Sequence, residues 1–218
     1  MAKSEGERKR GAATKKGKSM KWTGLAALLV WWSAVAAAAQ PVGLKNYVLG
    51  SPIAELRSQP LDPGKYGPRR VRCSDDEGAP AWMVAAYPSM VACSFEEQIG
   101  SSWVRSDLAL DAERQATVMF HYAGGKLALI EAYMDQTSAG VVEESLVTRF
   151  GAPTHRATRA FQVQSGATFP QQEVEWTLGN RSVTLLSPDL TTRRMSVTYR
   201  DTSALAQAKA RTKPADIM

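Results

Sequence analysis

Two histidines and two cysteines are all the chain offers of the side chains best suited to metal binding and nucleophilic work. A zinc site takes three or four such ligands. His121 and His155 have no carboxylate or second histidine at ligand spacing, so no metal and no cofactor is expected. Catalytic signatures are missing too. No Gly-x-Ser-x-Gly elbow occurs, and nothing in the sequence pairs a Ser or Cys with a histidine. Gly11 to Ser19 imitates a phosphate-binding loop, but five residues rather than four separate its glycines and no strand precedes it. Ser74-Asp75-Asp76-Glu77-Gly78 lacks the alternating oxygens and closing Glu of a calcium loop, and reads as a solvated turn balanced by Arg69, Arg70 and Arg72. Glu173 and Glu175 share a strand face, which a wet surface explains without glycosidase chemistry.

A basic body is also missing. Of 27 basic and 21 acidic residues, eight basic and two acidic fall within residues 1–39, which leaves 19 of each from Gln40 onward. The formal charge of +6 therefore belongs to the leader. Without a basic stripe, phosphate-backbone binding has no footing, and no nucleic-acid partner is expected.

Only one long apolar run exists, the uncharged stretch from Trp22 to Ala39. It follows a basic segment and ends in Ala36-Ala37-Ala38-Ala39, the small-x-small pattern of a signal-peptidase site. Residues 1–39 read as a signal peptide cleaved before Gln40, with an uncleaved N-terminal anchor as the competitor. Either way the rest is exported, with a periplasmic body and membrane contact only through residues 22–39. No cysteine follows the run, which excludes a lipid anchor there.

In an exported chain, Cys73 and Cys93 are most simply a disulfide. Closing a loop of about twenty residues stabilises the fold by ~3 kcal/mol on the chain-entropy model.

The clearest pattern present runs from Thr117 to Gly151. Val118, Phe120 and Tyr122 alternate with Thr117, Met119 and His121, the period of a two-faced strand. Gly124-Gly125 is a tight hairpin turn, and Leu127 to Met134 returns apolar except for Glu131. Asp135, Thr137 and Ser138 offer caps for a helix whose stripe is Ala139, Val142, Leu146 and Phe150, ended by Gly151 and Pro153.

Around it, residues 40–49 read as a linker and Ile53 to Ser58 as a short helix after Pro52. Arg69 to Cys73, Met90 to Phe95 and Trp103 to Leu110 read as strands. Ala160 to Gln164, Glu173 to Leu178, Arg181 to Leu186 and Met195 to Arg200 continue an antiparallel meander, with a turn at Gly179-Asn180. Residues 202–218 read as a weakly helical to disordered tail. His121 is expected on a solvent face, and His155 in a loop beside the helix C-terminus. The expected core is Val118, Phe120, Leu129, Val142, Leu146, Phe150, Phe161, Val174, Trp176, Val183, Leu185, Val197 and Tyr199.

The fold class is therefore α+β: an exported domain over residues 50–201, built from an antiparallel β-meander with hairpins and one main amphipathic helix packed on the sheet. Both halves run from a short helix into several strands, with Gly50-Ser51-Pro52 and Gly151-Ala152-Pro153 near the helices. That shared order raises a degenerate two-unit repeat. It loosely resembles the helix-then-meander order of small envelope-assembly lipoproteins, but the missing anchor cysteine withholds their role.

Two functional readings stay open. The favoured one is a non-enzymatic exported module that recognises a protein, a peptide or an envelope polymer. The other is an exported hydrolase whose site is assembled from distant residues. For the first, the candidate contacts are Trp82, Met83, Tyr87 and Met90, held between the cysteines in a Pro-flanked segment.

Intact-mass measurement on protein from the native envelope should give a chain beginning at Gln40. A mass that retains residues 1–39 establishes the anchored form instead.

Overall fold

Antiparallel pairing accounts for nearly all the regular structure in the computed structural model, which describes residues 40–163 and 166–212. The expected leader, residues 1–39, and the last part of the tail, 213–218, lie outside the described residues. A two-stranded ribbon, β1 (Gly43–Leu44) and β2 (Tyr47–Val48), precedes α1 (Ile53–Ser58). Then come β3 (Arg69–Cys73), β4 (Met90–Ile99), β5 (Ser102–Arg105), β6 (Leu108–Ala109), β7 (Gln115–Ala123) and β8 (Lys126–Asp135). A single 3-10 turn, Gln136–Ser138, leads into the main helix α2 (Ala139–Phe150). β9 (His155–Gln162), β10 (Thr168–Leu178), β11 (Arg181–Ser187), β12 (Arg194–Asp201) and α3 (Thr202–Arg211) complete the chain.

The main sheet has ten strands in the order β3-β4-β7-β8-β12-β11-β10-β9, with β5 beside β4 and β6 beside β7. The chain thus enters from both edges and meets in the middle, where β8 pairs with β12 from Arg194↔Asp135 to Arg200↔Leu129. Among the described residues it is mostly β, with three α-helices of which α2 is the main one.

Alternation divides the sheet into two faces. On the core face, Val118, Phe120, Ile130, Ala132, Val174, Trp176, Val183, Leu185, Val197 and Tyr199 form one apolar cluster with Leu146 of α2 and Leu56 of α1. The rings of Tyr47, Phe95 and Phe120 meet at centroid distances of 4.7, 5.6 and 6.0 Å, within the range of tilted and edge-to-face packing.

Local chemistry explains the boundaries. Gly124 and Gly125 take φ of 56° and 78°, the pair of positive angles a tight hairpin needs. Asp135 caps the 3-10 turn by accepting from the Thr137 amide at 2.9 Å, while Ser138 makes no cap bond. Gly151 closes α2 at φ 81°, and its carbonyl accepts the Trp176 indole N–H at 2.9 Å, which ties the helix end to the sheet. Asp201 caps α3 through the Ala204 amide at 3.0 Å.

Three expectations need correction. Residues 40–49 are not a free linker: Val42, Leu44, Tyr47 and Leu49 are buried in the core, and Arg149 of α2 holds the Gly43 and Pro41 carbonyls at 2.8 and 2.7 Å. Leu129 is buried but lies on the opposite face, because a bulge between His121 and Tyr122 shifts the register and puts Ile130 opposite Phe120. Phe161 is outside the core. It faces Phe169 across the β9–β10 ribbon, beyond Gln172, the last β10 residue to pair with β11. The two Gly-x-Pro motifs lie beside their helices as read, Pro52 before α1 and Gly151 after α2.

Leu146→Ala should cost about 2–5 kcal/mol in urea denaturation, since the side chain is fully enclosed between α2 and the sheet. A loss below about 0.5 kcal/mol would mark α2 as peripheral.

Candidate functional site

The far face of the sheet, opposite the main core, is where chemistry-bearing side chains gather. β4 and β3 begin it. Cys73 and Cys93 are direct cross-strand partners and are bridged by a disulfide, as their even count implied. The segment between them folds back across the far face. Ser74 donates its amide to the Ala92 carbonyl at 2.7 Å and accepts the Ala92 amide on its hydroxyl at 3.0 Å, which closes the neck of the loop.

The four candidate contacts of this loop separate. Met83 is buried against Ala92 and Met119, and Met90 against Ala128 and Ala208 of α3. Both methionines are spent in packing the loop and α3 onto the sheet. Tyr87 is half-buried beside Met90. Trp82 stays 39% exposed, and the Arg105 guanidinium stacks 4.6 Å from its ring centroid. The loop is thus mainly a cover, with one aromatic face presented at its border.

Beneath the cover lies His121, on the far face as expected but 2% exposed instead of solvated. Its Nδ1 accepts the Ala86 amide at 3.2 Å, which assigns the proton to Nε2, and that N–H donates to Glu131 Oε2 at 3.0 Å. The hydrogen bond from His121 holds the Glu131 carboxyl below its ordinary value against the opposing effect of burial, helped by the charges of Arg200 and Arg105.

From Glu131 the face continues across strands as a polar row. Glu131 faces Met119 on β7 and Thr198 on β12. Beyond them follow Thr184 on β11, Glu175 on β10 and His155 on β9. A neighbouring row pairs Thr117, Tyr133 and Ser196. The small hydroxyls of Thr184, Ser196 and Thr198 are buried, while Glu131, Tyr133, Arg194 and Arg200 are half-buried. Arg200 Nη1 donates to Thr184 Oγ1 at 3.1 Å, and Arg194 lies 5.5 Å from the Tyr133 ring centroid.

The remaining polar candidates fall elsewhere. His155 is exposed at the start of β9, not in a loop, because the strand begins five residues earlier than its apolar pattern. Glu173 pairs with Arg159 at 2.6 Å. Asp75 and Asp76 are balanced by Arg57 of α1, at 2.5 and 3.4 Å, and not by Arg69, Arg70 or Arg72. Arg70 instead grips Glu96 at 2.7 and 2.9 Å and stacks on Trp103. Among the described residues no three His, Cys, Asp or Glu side chains group closely enough to hold a metal ion. A cleft of about 720 Å³ beside Arg149, Phe150, Asn180 and Arg181 is lined by no histidine and no carboxylate. Among the described residues no helix is long and apolar enough to cross a membrane.

Sequence reading missed Arg105, Arg194, Arg200 and Tyr133 as a group. The one available signal was Glu131, the single charge in an otherwise apolar strand.

Because the folded Glu131 is depressed, its stabilisation is complete above the unfolded value near 4.3 and fades as pH falls through the folded value. Glu131→Gln keeps an acceptor oxygen but does not titrate. The variant should be about 1–2 kcal/mol less stable at pH 7 in urea denaturation, and that gap should close toward pH 3. A gap that does not change with pH refutes the charged hydrogen bond.

No family model matches the chain, and neither a curated protein nor a solved structure shows significant similarity to it.

Proposed function

We propose that the chain is a non-enzymatic, exported binding module acting in the periplasm or envelope, and that it meets a protein, a peptide or an envelope polymer on the far face of its sheet. The observation that carries this reading is the continuous polar row from Glu131 through Thr198 and Thr184 to Glu175, flanked by the half-buried Arg200 and bordered by the exposed Trp82 and its stacked Arg105. A face covered only in part, with an aromatic ring and arginines at its rim, has the composition of a contact surface.

A hydrolase finds less support. The buried His121 has both ring nitrogens engaged, so no lone pair is left to take a substrate proton. The bridged cysteine pair fits an oxidising compartment, which supports export.

We also read the two halves as a degenerate repeat of one helix and four main-path strands, with β5 and β6 added in the first half. The mirrored strand order about the β8–β12 seam supports this, with α1 leading one half and α2 the other. The Gly-x-Pro motifs do not, since they flank their helices differently.

A photo-reactive amino acid placed at Trp82, or at the exposed Thr177 two residues beyond Glu175 on the same face of β10, should give a discrete adduct when the native envelope is irradiated. The same residue at Glu144, on the exposed side of α2, should give none. Equal labelling at Glu144, or no adduct from either far-face position, sinks the reading.

A further inference from the structure

Hydrogen-bond donors and acceptors are unevenly matched around Tyr133. The acceptors nearby are largely engaged: Glu131 takes the His121 N–H at 3.0 Å, and Asp107 takes the Thr117 hydroxyl at 2.6 Å. The donors are not. Among the described residues, Arg105, Arg194 and Arg200 have no carboxylate within salt-bridge distance. Arg105 makes no side-chain hydrogen bond to another described residue, and Arg194 makes one long contact, to Thr117 Oγ1 at 3.4 Å. Each of these two guanidiniums instead lies against an aromatic face, Arg105 on Trp82 at 4.6 Å and Arg194 on Tyr133 at 5.5 Å. Stacking holds the plane of a guanidinium while leaving its N–H edge open, which is the arrangement that grips a planar carboxylate with two parallel bonds. Thr117 links the two segments that carry them: its hydroxyl donates to Asp107, two residues after Arg105, and accepts from Arg194. Burial and the nearby charge of Arg194 push the Arg105 guanidinium below its usual value, opposed in part by Asp107 and Glu131.

We propose that Arg105, Arg194 and Tyr133 form a carboxylate-binding subsite that takes an Asp or Glu side chain from a partner protein segment. This rests on the reading of the far face as the contact surface. Three carboxylates, those of Glu131, Asp107 and Asp189, also border the group. They disfavour a dianionic phosphate group more than a monoanionic carboxylate, whose planar edge also fits the open N–H edges of the two guanidiniums.

The probe is an N-acetylated, C-amidated tetraglutamate peptide titrated into the protein by calorimetry, with tetraglutamine and inorganic phosphate as separate arms. Tetraglutamate should bind and tetraglutamine should not. Arg105→Ala and Arg194→Ala should each weaken binding about fivefold or more, the loss expected for one bidentate guanidinium–carboxylate pair. Arg193→Ala, an equal charge change on the exposed neighbour, should weaken it less than about twofold. Should Arg194→Ala fail to fold, Arg194→Lys keeps the charge and loses the fork, and it too should weaken binding. Phosphate binding tighter than tetraglutamate, equal loss in Arg193→Ala, or binding of tetraglutamine overturns the proposal. If tetraglutamate fails while photo-adducts still form at Trp82 and Thr177, the carboxylate subsite falls and the contact surface stands. If both fail, both readings fall.

Discussion

The pairing of β8 with β12 is the contact on which the rest of the fold depends. It joins residues 59 to 71 apart in sequence, from Arg194 with Asp135 to Arg200 with Leu129, so the chain closes a long loop to make it. Without that seam there would be two separate meanders, each with one apolar face and too little area to bury it. With it, Ile130, Ala132, Val197 and Tyr199 become neighbours and the apolar residues of both halves merge into one core. α2 reinforces the seam from the core side. Leu146 packs into the cluster, Gly151 accepts the Trp176 indole, and Arg149 holds the early ribbon.

The seam also creates the far face as a continuous surface. Glu131 and Thr198 become direct partners only because β8 and β12 pair, and the polar row then runs on to Glu175. On the other side of Glu131, the disulfide-closed loop lies over His121 and Met119. The bridge shortens the reach of this loop, so its residues cover the sheet with less entropy to lose than a free segment would. Cover and polar row therefore meet at Glu131, which is hydrogen-bonded to the buried histidine and bordered by arginines. A carboxylate in that position is kept ionised by its His121 hydrogen bond, and it sets where a second carboxylate would be repelled and where one would be accepted.

Much of the local structure was readable directly. α1, β3 and α3 have the boundaries their caps and patterns suggest, and the hairpin turn at Gly124-Gly125 has the angles its glycines allow. The cysteine pair is bridged. These features depend on neighbours in the chain or on a simple parity, so a linear reading reaches them. Faces were legible where alternation was unbroken, as in Val174, Trp176, Val183 and Leu185. They were lost at Leu129, where one bulged residue exchanges inside for outside, since side-chain direction has a period of two and any insertion reverses it.

What the amino-acid sequence determined by itself is the central strands, the hairpin turns and the helices, the neutral body and the bridged pair; the early ribbon β1–β2 and the starts of β9 and β10 were not written locally. Composition, turn chemistry and periodicity act over a few residues and are written along the chain. Tertiary structure alone decided that Met83 and Met90 serve packing while Trp82 remains exposed, that His121 lies under a loop, and that Arg105, Arg194 and Tyr133 stand together. Arg105 and Arg194 come from opposite halves of the chain and meet only after β8 has paired with β12. No local pattern encodes that meeting, because burial and proximity follow from which strands become neighbours, and long-range pairing is settled by the whole core at once.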